Sequence, residues 1–593
     1  MNNVPDKSDS DENQVDATPK TNPGQIEPIV GDRRQSIEDG VPAKIDVSIP
    51  SLRWILAWGI LIAGTCFLHF ASGKIEDALP FVDQAVRNIV TAIVIVIVPL
   101  LVMIWLCFYS SYWTVKIRKR AFLLFIAVQI VGLVVFGMGV ELDGNLSPVG
   151  YRFPWSPPPD SQLQAITGKS NATIDLKTET PVDFPQFMGP NRNGRLDGTF
   201  LAYDWEEAPP KLLWKQPIGA GHSGFSTRNG YAVTMEQRGD QELTVCYEIE
   251  TGKLVWAHGE TSRHTSPLGK TGPRSTPTIH DGFVYSLGAQ GLLCCLDGSN
   301  GRLVWRRDLF QEFNTSISED LKVVSWGRSA SPLVYDDKVV VPAGGPSGAR
   351  PVSLVAYHRL TGLEIWRGGN QQISYASPIL APYFSPQGTT DVVISVNEAN
   401  VSAHDKENGK EIWSVERLGS STAGANTSQP IALPGSRFLL TKGYGLGGEL
   451  IQIQGDQVHQ VWKKNTVLKT KFTNAVQYQK HAFALSDGRL ECVDLQNGKR
   501  IWKSRKSYGH GQLLLCGSEL LILAERGYVA LVRAWGGPES NTAKEGHVQF
   551  TSFQAIEGVT WNTIAMHGDL MLVRNSQEAA CYEMPLRFRT AKP

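Results

Sequence analysis

The sequence predicts an all-β protein: an eight-bladed β-propeller of four-stranded antiparallel blades, preceded by three transmembrane α-helices. Three observations carry this. A short string ending in tryptophan recurs every 40 to 60 residues through the last two-thirds of the chain, and self-similarity at a fixed period is the signature of a repeat architecture. Between copies, apolar and polar residues alternate with a period of two, and no helical period appears. Ahead of the repeats lie three apolar stretches, each long enough to cross a hydrocarbon core of about 30 Å as a helix.

Five copies are close to one another: VCYEIETGKLVW ending at Trp256, CCLDGSNGRLVW at Trp305, VAYHRLTGLEIW at Trp366, VSAHDKENGKEIW at Trp413 and ECVDLQNGKRIW at Trp502. Weaker relatives end at Trp214 (KLLW) and Trp462 (DQVHQVW). Each copy turns at Asn-Gly or Thr-Gly, where glycine takes the positive φ of a tight hairpin, and the flanking alternation gives each strand one buried face. Two further short strands precede each copy, as in STPTIHDGFVYSLGAQGLL (275–293), joined by a His-Asp-Gly turn. Four short antiparallel strands make a propeller blade. The tryptophans read as structural wedges between neighbouring blade sheets.

The inner-strand units begin near His222, Arg274, Ser329, Tyr375, Thr427, Phe472, His510 and Thr560, which gives eight blades. The last unit (563–585) ends before an outer Trp strand, and Lys211–Gln216 has no inner strands before it. The expectation is that Lys211–Gln216 completes the last blade and closes the ring, which removes the exposed sheet edge. Blades five and seven depart from the pattern; in blade seven the polar run RAWGGPESNTAKEGHVQF (533–550) replaces the turn.

The strings TGKLVW, NGKEIW and NGKRIW, with xDGxVY upstream, resemble the pyrroloquinoline-quinone-like propeller repeat over roughly residues 184–585. FPQFMGPNRNG (184–194) is similar to the lead-in of a bacterial subgroup. The resemblance implies the fold. It leaves two functions open, because quinoprotein alcohol dehydrogenases and non-catalytic eight-bladed proteins such as the barrel-assembly lipoprotein share the repeat.

Residues 1–50 are polar and charged with few large apolar groups, so a disordered cytoplasmic tail is expected. A membrane domain follows over 51–141, with spans at about 54–71, 89–113 and 121–140. The first span lies too far from the N-terminus, and lacks a small-residue cleavage site, to be a signal peptide. The loop before the third span carries Lys116, Arg118, Lys119 and Arg120 with no acid. The positive-inside rule therefore puts that loop in the cytoplasm and the propeller (184–593) in the periplasm, on an inner-membrane anchor. Residues 142–183, with SPVGYRFPWSPPPDS (147–161), read as a semi-rigid proline-rich linker. Lys plus Arg and Asp plus Glu both number 57, so charge gives no sign of a nucleic-acid partner.

Propeller ligands usually bind at the funnel where the inner strands begin. The ring and its neighbours supply the ligand-binding candidates His222, Arg274, Arg328, Tyr375, Asn426, Lys471, His510 and Trp561. The expectation is a mouth of cations, hydroxyls and aromatics with no carboxylate. A quinone dehydrogenase of the resembled kind needs a carboxylate base and a Ca²⁺ held by carboxylate and amide oxygens, and the nearby amides are Asn426 and Asn562. Arginine and lysine at such a mouth suit an anionic ligand. Cys294-Cys295 reads as two small packing residues. No catalytic set, metal-ligand spacing or cofactor motif is found. The leading expectation is a membrane-anchored extracytoplasmic binding or scaffolding module for envelope proteins or ligands. The alternative is a pyrroloquinoline-quinone-dependent alcohol dehydrogenase with Ca²⁺, and a sensor is a weaker third reading.

Overall fold

The computed structural model describes residues 84–108, 114–153, 155–163 and 173–587, with breaks at 347, 349, 386–387, 423, 456 and 536–545, and four helical residues at 59–60 and 63–64. The tail at 1–50 and, but for those four residues, the expected first span lie outside the described residues.

Eight blades of four antiparallel strands form the ring, the first seven built in chain order from inner to outer strand, and blade seven carries a fifth, parallel strand. Blade one is Ser226–Arg228, Tyr231–Arg238, Gln241–Glu248 and Leu254–Thr261; blade two runs from Thr278–His280 to Leu303–Asp308. Blades three to seven start at Leu333, Ile379, Ile431, Val476 and Gln512. Blade eight has Ala565–His567, Leu570–Arg574 and Glu578–Glu583 from the C-terminal end, and its fourth strand is Lys211–Pro217, with Trp214 opposite Cys581. The ring is thus closed by the N-terminal strand, one residue longer than expected.

Six of the seven repeat tryptophans donate to a carbonyl of the next blade. The indole N–H of Trp256 donates to Gly298 O (2.9 Å), Trp305 to Arg359 O (2.8 Å), Trp366 to Lys406 O (3.2 Å) and Trp462 to Leu495 O (2.8 Å). Trp214 and Trp502 bond Ile249 O and Trp535 O in the same way. The turn glycine of the following blade lies under the ring. Gly409 has φ +73°, and a Cβ there would stand 2.5 Å from Trp366. Glycine is therefore required twice, by the turn and by the indole. Blade five lacks such a turn, since nothing approaches within 4 Å of the Cβ position of Gly455. Trp413, facing that blade, has a buried indole N–H without an acceptor among the described residues and packs on Phe438, 5.4 Å between centroids. The inner strands are joined by side chains of the next blade that accept from backbone N–H groups: Gly224 N to Thr276 Oγ1 (3.0 Å), Thr276 N to Ser331 Oγ (2.9 Å) and Ser331 N to Ser377 Oγ (2.9 Å).

The lead-in FPQFMGPNRNG crosses the central channel. Phe184 pairs with Thr227 of blade one, and Pro185 O accepts from Ile279 N of blade two (2.8 Å). Arg192 donates to Ser331 O (3.1 Å) and Pro332 O (3.0 Å) beside blade three, and its own carbonyl accepts from Gln429 beside blade five. Gly194 O accepts from Leu515 N of blade seven (2.7 Å), where Arg195–Leu196 adds a short parallel strand. Bonds to the inner strands of such separated blades place this segment on the axis, where it stoppers the channel.

Among the described residues two long helices precede the ring: α1 (Gln84–Phe108) and α2 (Val115–Gly139). Both begin earlier than the expected spans at 89 and 121. Among the described residues one helix, α1 over Gln84–Trp105, is long and apolar enough to cross a membrane. Its Ile89, Ile93 and Ile95 are exposed, as are Leu123, Leu124 and Val128 of α2. Directly after α2 comes a hairpin, Val140–Leu142 with Pro148–Tyr151, and Asn88 near the start of α1 donates to Asn145 O (2.8 Å) and Ser147 Oγ (2.9 Å) at its tip. The start of α1 and the end of α2 therefore meet at the propeller. The basic run at 116–120 lies at the other end of α2, about 35 Å away at 1.5 Å per residue.

The expected linker at 142–183 is corrected in part. It opens as this hairpin and then runs along the ring, with Asp160 paired to Arg263 (2.7 Å) and Ile174 N bonded to Ser299 O (3.1 Å). Burial of Leu176 against blades one and two supplies the driving force that a proline count does not reveal.

Candidate functional site

The mouth of the ring holds a cavity of about 550 Å³. Phe187 of the stopper contributes to its lining, the starts of the inner strands form the wall, and Leu142, Gly144 and Leu146 of the hairpin with Val86 and Ile89 of α1 lie over it. The strands place the aromatic groups in two sets. Trp326 stacks on Tyr375 (4.9 Å, 27°), while His222 and Phe472 both pack on Trp561 at 5.2 and 5.1 Å.

Of the eight candidates read from the sequence, five line this cavity: His222, Arg274, Tyr375, Lys471 and Trp561. His222 shares its Nε2 with Gly269 O (3.2 Å), and burial together with Arg274 and Arg574 pushes it down to about 3, so the imidazole is neutral. The Arg274 guanidinium is wrapped by the carbonyls of Gly269, Lys270 and Gly272, and burial lowers it to about 10, leaving it charged at neutral pH. Tyr375 bonds Ser421 O and accepts from Trp326 N (3.3 Å).

The other three candidates do not line the cavity. Arg328 is buried in a two-pronged ion pair with Asp320 (2.7 and 3.1 Å) and caps the carbonyls of Pro342 and Ala343, so it holds blade three to the helix Ile317–Val323. Asn426 donates to the carbonyls of Asn397, Glu398 and Arg417 as a strut between blades. His510 lies under the hairpin, its Nε2 2.8 Å from Asn145 Oδ1, with its ring on Phe472.

The expectation of a mouth without a carboxylate is corrected. Glu525 stands beside it and accepts from Trp561 Nε1 (2.6 Å), His510 N (2.9 Å) and Gly144 N of the hairpin (2.6 Å). Burial raises it above the ordinary glutamate range against these three donors. Gly144 is the point of closest approach, since a Cβ there would meet Phe472, His510 and Glu525 at 2.5, 2.7 and 3.0 Å. Asp143 lies 3.5 Å from Arg526, and Lys471 Nζ reaches Asn145 Oδ1 at 3.5 Å. The hairpin tip is thus seated in the mouth by Glu525, His510, Lys471 and Arg526.

A Ca²⁺–quinone site does not fit these residues. The one carboxylate near the mouth's amides, Glu525, has both oxygens accepting N–H groups. The two amide oxygens without a hydrogen-bond partner, Asn562 Oδ1 and Asn426 Oδ1, belong to blades three apart, so no carboxylate–amide cluster forms among the described residues. Among the described residues the group with metal-type ligand atoms lies elsewhere, at His258, Glu260 and Cys294 within 4.8 Å of one another. There Glu260 is committed to Arg306 (2.9 Å) and His258 (3.0 Å). Cys294 and Cys295 are free thiols facing different inter-blade cores, and burial pushes Cys295 up to about 12.

Eight blades with Trp–Gly junctions and an N-terminal closing strand define a repeat-built β-propeller. The family profile described as outer membrane protein assembly factor BamB matches residues 239–504 and 397–537, together half of the chain, and the chain belongs to this PQQ-like propeller family. The BamB protein of Kangiella koreensis is 26% identical over 148 residues, covering 25% of this chain and 31% of that protein. The one from Moranella endobia is 25% identical over 171 residues, covering 23% and 43%. The chain therefore spans less than half the length of these curated relatives. Among solved structures, BamB from Moraxella catarrhalis aligns with a TM-score of 0.43 at 10% identity over 65% of this chain and 99% of that one. A europium-containing methanol dehydrogenase aligns with 0.47 at 12% over 67% and 90%.

Proposed function

We propose that this protein is a membrane-anchored, extracytoplasmic propeller that binds or scaffolds other envelope proteins, with no cofactor and no reaction of its own. The observation that carries the reading is that the chain occupies both ends of its own axis, the channel by the 184–194 stopper and the mouth by the hairpin. The hairpin covers the funnel where propeller ligands usually sit, which leaves the outer blade strands and loops as the working surface for a protein partner, where strand addition is a common mode of engagement. Antiparallel α1 and α2, with the basic run at the end away from the ring, support a cytoplasmic turn and a periplasmic propeller on the inner membrane. With the first span this gives three crossings and a cytoplasmic N-terminus. The curated relatives are named assembly factors of the outer membrane, which agrees with an envelope partner.

Affinity capture of the full chain from detergent-solubilised membranes at native level is expected to return a stoichiometric envelope protein. Repeated isolation of the chain alone would remove the reading. Dye-linked alcohol oxidation after incubation with pyrroloquinoline quinone and Ca²⁺ is expected to stay at background; turnover would restore the dehydrogenase.

A further inference from the structure

The cavity under the hairpin has a composition that its structural role does not require. Its charged lining comprises three cations, Lys270, Arg274 and Lys471, and one acid, Asp143, which pairs with Arg526. The partners of Arg274 are neutral carbonyls, which stabilise a charge without cancelling it. Of the carboxyls behind the wall, Glu242 and Glu525 are pushed toward the neutral form by burial, while Glu141 of the hairpin acts on Lys270 alone, so Arg274 and Lys471 keep the cationic excess. An anion is thereby favoured inside, since guanidinium and ammonium donors bond carboxylate and phosphate oxygens strongly.

The remaining surface is apolar. Trp326, Trp561 and Phe472 face the cavity from the ring, and Leu146, Val86 and Ile89 border it from the hairpin and α1. Ile89 is 45% exposed and Ile93, one turn on, is 49% exposed, so the apolar border continues along the outside of the helix. A small soluble anion has no use for that border, and a hydrocarbon has none for the cations. A molecule with both parts satisfies the whole cavity, and its volume of about 550 Å³ suits a headgroup with the root of a chain.

We propose that the mouth cavity binds one anionic amphiphile from the bilayer, with its phosphate-type headgroup toward Lys270, Arg274 and Lys471 and its tail leaving past Val86 and Ile89 along α1. This rests on the reading that α1 crosses the membrane. The ligand completes the seam between ring and helices that Asn88, Asn145 and His510 begin.

The test uses the full chain in mild detergent with equal amounts of phosphatidylglycerol and phosphatidylcholine, followed by native mass spectrometry. The expected result is one phosphatidylglycerol retained per chain, preferred about tenfold or more over phosphatidylcholine. Ile89→Trp, which fills the exit, and the pair Lys270→Ala with Lys471→Ala are each expected to cut that preference about tenfold. Near-UV circular dichroism shows whether each variant is folded, and the lysine pair, which leaves the packed aromatics in place, carries the test if Ile89→Trp does not fold. No preference, variants that retain the lipid like the parent, or displacement by millimolar inorganic phosphate alone would each overturn the proposal. Vesicle flotation of the same preparation separates the two ideas: a chain that floats without lipid preference loses only the cavity ligand, and one that does not float loses the membrane reading as well.

Discussion

The two ends of the propeller axis are closed in opposite ways. The stopper is built into the core: Phe184, Met188 and Arg192 are nearly inaccessible, and their bonds run to several blades at once. The hairpin at the mouth is seated by a few polar contacts around Glu525 and covers a cavity rather than filling it. Close packing with satisfied polar groups makes an element part of the cooperative unit, whereas a few contacts over a void let it open locally. The stopper is therefore expected to unfold only with the ring, and the hairpin to come away alone.

The largest effect should come from Arg192→Ala. It strips the donors from Ser331 O and Pro332 O and leaves a hole on the axis, for about 3 to 5 kcal/mol in all. Denaturant unfolding of the full chain in detergent is expected to show this as a shifted midpoint. A midpoint within about 0.5 kcal/mol of the parent would mean that the stopper is not part of the cooperative unit.

Two glycines make a matched pair. Gly194→Ala forces a Cβ to 2.7 Å from Met188 and 2.8 Å from Val476 at φ +70°, and is expected to cost the whole ring about 2 to 3 kcal/mol. Gly144→Ala forces a similar clash against Phe472 and His510, but its expected outcome is faster proteolysis and hydrogen exchange within 140–151, with the unfolding midpoint unchanged. Equal midpoint shifts in both would abolish the distinction between the two closures. Glu525→Gln is the milder version, predicted to weaken the seat by about 1 to 2 kcal/mol, read by the same exchange, because an amide oxygen replaces a carboxylate that accepts three donors.

The same contrast separates what could be read from the sequence. The blade count, the closing strand around Trp214 and the wedge tryptophans follow from alternation and the repeat. The same signals give the turn glycines, but not that each lies under the indole of the blade before. Glu525 was missed for a geometric reason. The start of an inner strand sits beside the end of the antiparallel second strand, so the mouth gathers two sets of positions, and aligning the strand starts displays only one. The turn Ala524-Glu525-Arg526-Gly527 belongs to the other set. Its partner Gly144 is 381 residues away, and no local pattern links them. Arg328 misled for the converse reason: its acid, Asp320, sits on a short helix inserted between blades, where the repeat period is silent.

The finest test of the difference between the two ends is pH. Glu242, in blade one beside the mouth, is raised by burial to about 7 from an ordinary 4.5. The folded chain therefore holds a proton there that the unfolded chain releases between pH 4.5 and 7, and stability from this group falls as pH rises through that window. His222 acts in the opposite sense: lowered to about 3, it makes the folded chain the poorer proton binder below about 6.5, so its contribution is lost as pH falls. Glu242→Gln removes the first effect and keeps an acceptor for Ala289 N. The variant is expected to gain stability relative to the parent as pH rises from 4.5 to 7, with no further gain above, and its own stability should then rise with pH through the His222 range. The stopper adds nothing in this window, because Arg192, lowered by burial to about 9, stays charged throughout it. Its term enters only above pH 9, where the folded chain binds fewer protons than the unfolded one and stability rises with pH. Unfolding midpoints of parent, Glu242→Gln and Arg192→Ala across pH 4 to 8 check this. A difference between parent and Arg192→Ala that changes with pH in that range would show that the two ends are electrostatically coupled and are not the separate closures described above.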